Sequence, residues 1–234
     1  MKVLITSGGT TEPIDDVRGI SNFATGALGK LTAEYFLRAG HEVILLSGDK
    51  ALRPEHQERL TLVPIMGTQS LYEAMQDVVP QVDVVVHSMA VSDYRPVYMT
   101  DFEHLPDELT ETSLTTFRPK REKKISSKAD FQIMLLEKTP KIINAVKQWN
   151  PDVLLFGFKL LSGVTPERLL KIAHEKLSQT KADFIIANDL ENIQGQAHQA
   201  YLVSEKDADR VISMKNKSEI AATILKKSEE LRHD

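Results

Sequence analysis

Short apolar segments, rich in β-branched residues, recur along the chain and predict the strands of a sheet. The first, Lys2–Ser7, stops at Gly8–Gly9, as a strand does when it ends in a glycine-rich turn. The segments that follow are apolar on both faces, which is typical of strands buried in a parallel sheet. They are Glu42–Leu46, Leu60–Ile65, Val82–His87, Val153–Phe158 and Phe184–Ala187. Two more, Ala200–Ser204 and Arg210–Met214, are predicted to form an antiparallel pair at the edge.

Segments with helical periodicity lie between these strands. Gly26–Ala39 has apolar residues at helical spacing. Thr165 and Pro166 predict an N-cap and a first-turn proline for a helix that runs to about Lys176 or Ser178. Further helices are predicted at Thr68–Val79, Lys141–Gln148 and Asn216–Leu231. This alternation predicts an α/β fold with a doubly wound, mostly parallel sheet, helices on both faces and an antiparallel edge.

One long segment, at about residues 94–128, interrupts the alternation. It is acidic between Asp101 and Glu111 and then basic from Arg118 to Lys128. An excursion of this length inside a compact domain is typical of a functional or a disordered segment. A solvated surface arm would explain its charge equally well. We expect one domain over residues 1–234, with this segment as an insertion.

Composition narrows the function classes. The chain has 234 residues, with 29 Lys and Arg against 33 Asp and Glu, so its net charge of −4 argues against a dedicated nucleic-acid binder. It has no cysteine, which excludes disulfides, Cys-rich zinc sites and thiolate nucleophiles. No apolar stretch approaches the ~18 residues of a membrane span. The N-terminus also lacks the apolar core of a signal peptide, so we expect a cytoplasmic protein without membrane or nucleic-acid partners.

Polar groups follow four of the predicted strands. They are Ser7–Thr11, Ser88–Asp93, Lys159 and Asn188–Asp189. Because the carboxyl ends of parallel strands share one edge, where open α/β sheets bind ligands, we expect these groups to lie together. The first group leads through Arg18 and Asn22 to the helix at Gly26, and glycine amides beside a helix N-terminus favour an anion. A glycine-rich connection with helix caps would show the same pattern.

Motifs of several other chemistries are missing. Gly26–Lys30 ends like a phosphate-binding P-loop, but Ala24 stands where the first glycine must be, and no G-x-G-x-x-G follows the first strand. No tyrosine is followed four residues later by lysine, and no Gly-x-Ser-x-Gly elbow occurs. The histidines lack zinc-ligand spacing, and His87, at the end of an apolar strand, is interpreted as structural.

The order of the remaining motifs resembles the phosphopantothenate–cysteine ligases, also called phosphopantothenoylcysteine synthetases. That family opens with GGT-x-E-P-(I/L)-D-x-V-R-x-I-x-N-x-(S/T)-G-x-x-G, and this chain reads ITSGGTTEPIDDVRGISNFATGALG. The resemblance continues through the whole chain in order. It includes MAVSDYRP (Met89–Pro96), KKIS (Lys123–Ser126), LLEKTPKI (Leu135–Ile142), GFKL (Gly157–Leu160) and IIANDL (Ile185–Leu190).

The resemblance implies a Rossmann-like fold and a ligase of coenzyme A biosynthesis, in its free-standing form, that joins 4′-phosphopantothenate to L-cysteine. The family transfers a nucleotidyl group from CTP or ATP, with Mg²⁺, to the carboxylate, and the cysteine amine then displaces the nucleotide. Positioning and charge stabilisation suffice for both steps, so no protein nucleophile is needed. Two segments differ from the family's bacterial motifs: KISS at Lys124–Ser127 replaces K-x-K-K, and GFKLLS from Gly157 replaces GFAAET. Of the two triphosphates, we still expect CTP rather than ATP.

The same resemblance assigns roles to single residues. Asn22 is expected to be catalytic, because its amide can polarise acyl or phosphoryl oxygens. Lys124, on a mobile nucleotide-binding loop, is the second catalytic residue, with Lys123 and Lys120 as alternatives. The expected substrate-binding residues are Gly8, Gly9, Thr10, Arg18, Ser21 and Gly26. The expected nucleotide-binding residues are Asp93, Lys124, Phe158, Lys176, Lys181 and Asn188, and no metal ligand is assigned.

The family is dimeric, so the resemblance also implies a homodimer in which the insertion packs against the second subunit. Two other classes stay open. One is an NADP-dependent epimerase or reductase-like protein, favoured by the strand order and by Asp49 beyond the second strand. The other is a non-catalytic protein that binds a phosphorylated metabolite at the same edge. Binding of NADPH would indicate the reductase-like protein. Binding of a phosphorylated metabolite without release of pyrophosphate would indicate the non-catalytic protein.

Overall fold

A computed structural model describes residues 1–101, 105, 110–116, 128–194, 197–205 and 211–232. Strands and helices alternate through most of this range. In chain order the elements are β1 (Lys2–Ser7), β2 (Thr11–Pro13), β3 (Gly19–Ser21), α1 (Ala27–Arg38), β4 (Glu42–Gly48), β5 (Leu60–Ile65), α2 (Thr68–Val78), β6 (Val84–His87), β7 (Tyr94–Asp101), α3 (Glu111–Thr116), β8 (Gln132–Lys138), α4 (Ile143–Trp149), β9 (Leu154–Leu161), α5 (Pro166–Thr180), β10 (Phe184–Gln194), β11 (Ala197–Ser204), β12 (Ile212–Asn216) and α6 (Lys217–Arg232).

The main sheet has the strand order of a Rossmann fold. Within the described residues its eight strands are arranged β12-β11-β10-β9-β6-β1-β4-β5. The six strands from β5 to β10 in that row are parallel, and their chain order follows the doubly wound pattern 3-2-1-4-5-6. β11 and β12 add to this sheet as antiparallel strands. The predicted doubly wound sheet with an antiparallel edge is confirmed.

Helices cover both faces of the sheet. On one face, α2, α4 and α5 pack through residues such as Met75, Val146 and Leu177 against alternate residues of the strands. On the other face, α1 and α6 pack through Phe36 and Ile224. Strand residues are therefore buried on both faces, which explains why these segments are continuously apolar in the sequence.

Two antiparallel ribbons lie outside the main sheet, and the sequence patterns predicted neither. β2 pairs with β3 in a hairpin that follows β1. β7 pairs with β8 across the predicted insertion. Residues 102–104, 106–109 and 117–127, which include the basic cluster except Lys128, lie outside the described part of the chain.

Several predicted elements are longer in the structure than in the sequence analysis. β9 extends beyond Phe158 to Leu161, where it pairs with β10. β10 extends beyond Ala187 to Gln194, because β11 supplies hydrogen-bond partners on its other side. α5 begins as predicted, with the Thr165 side chain accepting a hydrogen bond from the Arg168 backbone. Among the helices that the structure describes, none is both long and apolar enough to cross a membrane.

Candidate active site

The carboxyl ends of β1 and β6 mark the point where the strand order reverses. From β1 the chain adds β4 and β5 on one side, and it then crosses to add β6 on the other side. Open α/β sheets bind their ligands in the crevice at such a point. The loops that leave these two strands, Gly8–Thr10 and Ser88–Asp93, belong to the first two polar groups predicted from the sequence, Ser7–Thr11 and Ser88–Asp93. The structure brings them together.

Hydrogen bonds hold the two loops in register. The Ala90 backbone N–H donates to the Gly8 carbonyl at 2.8 Å, and the Thr10 N–H donates to the Ala90 carbonyl at 3.1 Å. The Ser92 N–H donates to Thr10 Oγ1 at 2.9 Å, and the two hydroxyls are also 2.9 Å apart. Thr10 and Ser92 are buried, so these bonds are shielded from water. The floor of the crevice is therefore preorganised.

Asn22 joins the same network from the segment that precedes α1. Its Nδ2 donates to the Ala90 carbonyl at 3.0 Å and to Ser92 Oγ at 3.2 Å. A primary amide has two N–H donors, so both are engaged by the loop after β6. The structure thus places Asn22 at the predicted edge, and it does not cap α1.

The N-terminus of α1 lies directly beside this network. Its N-cap, Gly26, has φ +74° and provides no side-chain cap. A Cβ on Gly29 would lie 2.5 Å from Ser7 Cβ, so only glycine lets the helix pack this closely against β1. Ser7 Oγ donates to the Gly26 carbonyl at 3.1 Å. The first turn of α1 therefore faces the crevice, where its N–H groups and the helix dipole favour an anion.

The β2–β3 hairpin carries the predicted Arg18 and Ser21. Arg18 Nη2 donates to Asp15 Oδ2 at 2.6 Å, and this hydrogen bond, with the charge of Asp15, raises the pKa of Arg18 above its ordinary value. Arg18 is therefore charged at the hairpin turn. Ser21 Oγ accepts a hydrogen bond from Thr11 Oγ1 at 3.1 Å.

Glu12, which the sequence analysis did not single out, anchors the hairpin. Its buried carboxylate accepts from the Thr68 N–H at 2.7 Å and from Thr68 Oγ1 at 2.6 Å. Thr68 is the first residue of α2, where a helix dipole stabilises a negative charge. The motif glutamate therefore holds the hairpin beside the crevice.

Asp93 connects the crevice to the β7–β8 ribbon. Its Oδ1 accepts a hydrogen bond from Lys141 Nζ, and its carbonyl accepts from the Thr139 N–H at 3.0 Å. Thr139 Oγ1 donates to the Ser92 carbonyl at 2.5 Å. The Asp93 side chain is 64% exposed and available to a ligand. Lys141 was missed as a site residue, although it lies within the LLEKTPKI motif.

Phe158 and Asn188 lie on one face of the sheet, the face covered by α1 and α6. Phe158 of β9 pairs with Ile186 of β10, and Asn188 lies two residues after Ile186 in β10. Because side chains alternate along a strand, Ile186 and Asn188 share a face. Phe158 packs against the core of that face, and Asn188 is buried.

Asp189, the residue after Asn188 in the IIANDL motif, has a structural role. Its carboxylate accepts from the backbone N–H groups of Val164 at 2.8 Å, Glu191 at 2.9 Å and Gly163 at 3.2 Å. These hydrogen bonds lower the pKa of Asp189, with those from Val164 and Glu191 as the main causes. The ionised carboxylate closes the loop between β9 and α5.

The structure does not bring all predicted residues to this edge. Lys176 lies in the last two turns of α5, and Lys181 follows the end of that helix, just before β10 begins. A helix between two parallel strands runs back to their amino ends. Both lysines are therefore at the opposite edge of the sheet. Lys124, and its alternatives Lys120 and Lys123, lie outside the described residues, so their role stays a prediction.

His87 is buried at the end of β6. Its Nδ1 is 3.0 Å from Thr6 Oγ1, and burial lowers its pKa to about 4. A neutral, hydrogen-bonded ring supports the interpretation of His87 as structural. In the described residues no three His, Asp or Glu side chains converge as metal ligands.

The sequence matches a known domain family over nearly its full length. Residues 1–104 and 111–231 match the DNA/pantothenate metabolism flavoprotein C-terminal domain. The chain belongs to this family.

Similar proteins agree with this membership. The Coenzyme A biosynthesis bifunctional protein CoaBC of Thermococcus kodakarensis is 30% identical over 222 residues, which are 94% of this chain and 49% of that protein. The chain spans about half the length of the curated relatives that it matches.

Solved structures of family members have the same fold. The DNA/pantothenate metabolism flavoprotein from Streptococcus pneumoniae is 44% identical, with a TM-score of 0.91 and coverage of 99% of both chains. The C-terminal domain of a Coenzyme A biosynthesis bifunctional protein CoaBC is 29% identical, with a TM-score of 0.73, over 100% of this chain and 96% of that one. The predicted Rossmann-like fold and the resemblance to phosphopantothenoylcysteine synthetases are confirmed at the level of the family.

Proposed function

We propose that this chain is a phosphopantothenate–cysteine ligase that acts in coenzyme A biosynthesis. The observation that carries the proposal is the crevice at the strand reversal, where Asn22 joins the loops after β1 and β6 beside the N-terminus of α1. A similar protein carries coenzyme A biosynthesis in its name and aligns with 94% of this chain. The geometry provides anion binding and fixed amide groups, which suit the activation of a carboxylate.

The proposed reaction has two steps. A carboxylate oxygen of 4′-phosphopantothenate attacks the α-phosphorus of a nucleoside triphosphate, and pyrophosphate leaves. The amine nitrogen of L-cysteine then attacks the acyl carbon, loses a proton, and expels the nucleoside monophosphate. The charge that develops on the phosphoryl and acyl oxygens needs fixed donors and cations more than it needs a protein nucleophile.

The described residues divide between the two ligands in this proposal. Gly8, Gly9, Thr10, Ser21 and Gly26 border the phosphate of phosphopantothenate, and Arg18 reaches it from the hairpin. Asn22 holds the Ala90–Ser92 loop, and exchange of its Ser92 hydrogen bond for a ligand oxygen would place an N–H donor on the acyl-nucleotide. Asp93, Phe158 and Asn188 bind the nucleotide.

Lysines complete the nucleotide site in the proposal. Lys124 binds the departing pyrophosphate, and Lys141 beside Asp93 adds a second cation. We also keep Lys176 and Lys181 as nucleotide-binding residues, because the family resemblance assigns them this role. Since both lie at the opposite edge of the sheet, another part of the nucleotide or the second subunit would have to reach them.

The proposal also covers the triphosphate, the metal ion, the oligomeric state and the location of the protein. CTP is the favoured triphosphate, with ATP as the alternative, and Mg²⁺ enters with the triphosphate as part of the substrate. The protein is a homodimer in the cytoplasm. The exposed apolar residues of the β7–β8 ribbon support a dimer, because isolated ribbons rarely leave such residues in water. They include Tyr94, Ile133 and Leu136.

The deciding experiment measures pyrophosphate release with 4′-phosphopantothenate, Mg²⁺ and either CTP or ATP, first with L-cysteine and then without it. We expect continuous release with cysteine and about one equivalent per site without it, because the acyl-nucleotide stays bound. Mass spectrometry should detect 4′-phosphopantothenoyl-L-cysteine only in the complete mixture. Lys124→Ala, Lys123→Ala and Lys120→Ala, assayed in parallel, identify the pyrophosphate-binding lysine.

Other results would favour the alternative functions. Binding of 4′-phosphopantothenate without pyrophosphate release from either nucleotide would indicate a non-catalytic binding protein. Binding of NADPH, with no effect of CTP or ATP, would indicate a reductase-like protein.

A further inference from the structure

A buried amide–imidazole pair lies at the carboxyl edge of the sheet, on the face covered by α1 and α6. Asn188 of β10 is 6% exposed and His198 of β11 is 8% exposed. Asn188 Nδ2 donates to His198 Nε2 at 3.2 Å. Asn188 is opposite Ala200 in the ladder, and His198 is two residues from Ala200, so both side chains are on the same face.

The hydrogen bond determines the protonation of the imidazole. Burial, and then the positive charge of Lys217, lower the pKa of His198 to about 4, so the ring is neutral at pH 7. A neutral imidazole that accepts at Nε2 carries its proton on Nδ1. In the described part of the chain this Nδ1 is buried and has no hydrogen-bond partner. Native proteins rarely keep such a donor unpaired unless a water or a ligand completes it.

The same bond determines the orientation of the amide. Because the Asn188 NH₂ group is directed at His198, its carbonyl oxygen is directed away from the imidazole. Among the described residues this oxygen has no hydrogen-bond partner. The pair therefore has a free acceptor and a free donor, and Phe158 on the neighbouring strand adds an aromatic ring on the same face.

We propose that His198 is a positioning residue that orients Asn188 so that its carbonyl oxygen accepts a hydrogen bond from the exocyclic amino group of the nucleobase. The proposal rests on the proposed ligase function, because it assigns the base of the nucleoside triphosphate to this pair. An acceptor fixed in this way selects amino-bearing bases, cytosine or adenine, over their keto counterparts, uracil or hypoxanthine. The keto oxygen would face the amide oxygen without a proton between them.

The test compares nucleotide pairs that differ in this exocyclic group and in the protonation of the ring nitrogen next to it. Dissociation constants for CTP against UTP, and for ATP against ITP, are measured by calorimetry with Mg²⁺, and KM and kcat for pyrophosphate release are measured in parallel. The wild type should prefer the amino partner of the better-bound pair by about 10²-fold. His198→Leu should reduce this ratio below about 10-fold, mainly through KM, because the Asn188 amide is then free to turn over.

Matched variants separate positioning from general damage. His198→Gln has an amide oxygen that can replace Nε2 as the acceptor, so it should restore most of the discrimination. Asn188→Ala should lose the discrimination with His198 intact, and it decides the case if His198→Leu does not fold. His41→Leu alters a histidine that pairs with Glu229 at the other edge of the sheet, and it should keep the wild-type ratio.

The outcomes distinguish this proposal from the ligase function. Pyrophosphate release without amino-over-keto preference, or with an unchanged ratio in His198→Leu and Asn188→Ala, overturns the role of the pair and leaves the ligase intact. A preference for UTP or ITP overturns the proposed amide orientation. Nucleotide discrimination in the binding measurement without pyrophosphate release supports the pair and overturns the ligase. Failure to bind any nucleotide overturns both.

Discussion

At the scale of single residues, Asn22 gives the sharpest test of the proposed chemistry. Asn22→Asp replaces two N–H donors with a carboxylate that faces the Ala90 carbonyl and an anionic intermediate. We expect turnover to fall by about 10²–10³-fold, as on loss of an oxyanion-stabilising donor. The second step should suffer more than the first, so bound acyl-nucleotide should accumulate and be detected by mass spectrometry of the quenched mixture.

The control for this variant is Gln148→Glu, an exposed amide-to-carboxylate change near the end of α4. It should leave turnover unchanged. A slow Asn22→Asp enzyme without trapped intermediate would assign Asn22 to substrate binding instead, and unimpaired product formation would remove it from the site.

A second residue-scale prediction concerns Asp189 and pH. Because backbone N–H groups lower its pKa in the folded chain, Asp189 stabilises the fold above the unfolded carboxyl pKa of about 3.9. This contribution is lost as the pH falls through the lower, folded pKa. Asp189→Asn should therefore lower the melting temperature at pH 7, and the difference from wild type should shrink below pH about 4.

Thermal melts of Asp189→Asn and wild type between pH 3 and 8 check this dependence. The exposed Asp77→Asn is the matched control and should follow wild type throughout. If the difference in melting temperature between Asp189→Asn and wild type stays constant from pH 3 to 8, the negative charge of the carboxylate does not stabilise the loop.

At the scale of elements, the contact between α1 and β1 sets the position of the anion-binding helix end. Gly29→Ala would place a methyl group 2.5 Å from Ser7 Cβ. We expect this overpacking to destabilise the fold by about 1–3 kcal/mol and to weaken phosphopantothenate binding, because α1 must move away from the crevice. Urea unfolding and calorimetry measure the two effects.

A second substitution shows whether the contact itself is responsible. On a Ser7→Gly background, which removes the facing Cβ, the cost of Gly29→Ala should be clearly smaller. Equal costs on both backgrounds would show that the loss arises elsewhere in the helix.

At the scale of the whole molecule, we expect assembly through the β7–β8 ribbon. Sedimentation should give the mass of a dimer, and Ile133→Lys with Leu136→Lys should shift it toward the monomer, because charges would replace exposed apolar residues of the ribbon. Leu62→Lys on β5, also exposed, is the control and should stay dimeric. A monomeric wild type, or an unaltered double variant, would contradict this assembly.

Much of the fold could be predicted because its elements follow local rules. β1 and β5 have the bounds that their apolar segments predict, and α5 begins at the predicted Thr165 cap. The hairpin β2–β3 was missed because its strands are short and largely exposed, so they lack an apolar pattern. β8 was missed because it pairs with β7 outside the main sheet, without a buried face.

The candidate site shows the same division between local and distant information. The sequence by itself determined the strands of the main sheet, the helices that cover it, the family resemblance and the polar groups at strand ends, because apolar periodicity and motifs are properties of neighbouring residues. Only the tertiary structure decided that Asn22 donates both N–H groups to the loop after β6 and that Lys176 and Lys181 lie at the opposite edge of the sheet from this loop. Strand order and helix direction decide these contacts, and both depend on pairings between residues far apart in the chain, which local patterns do not encode.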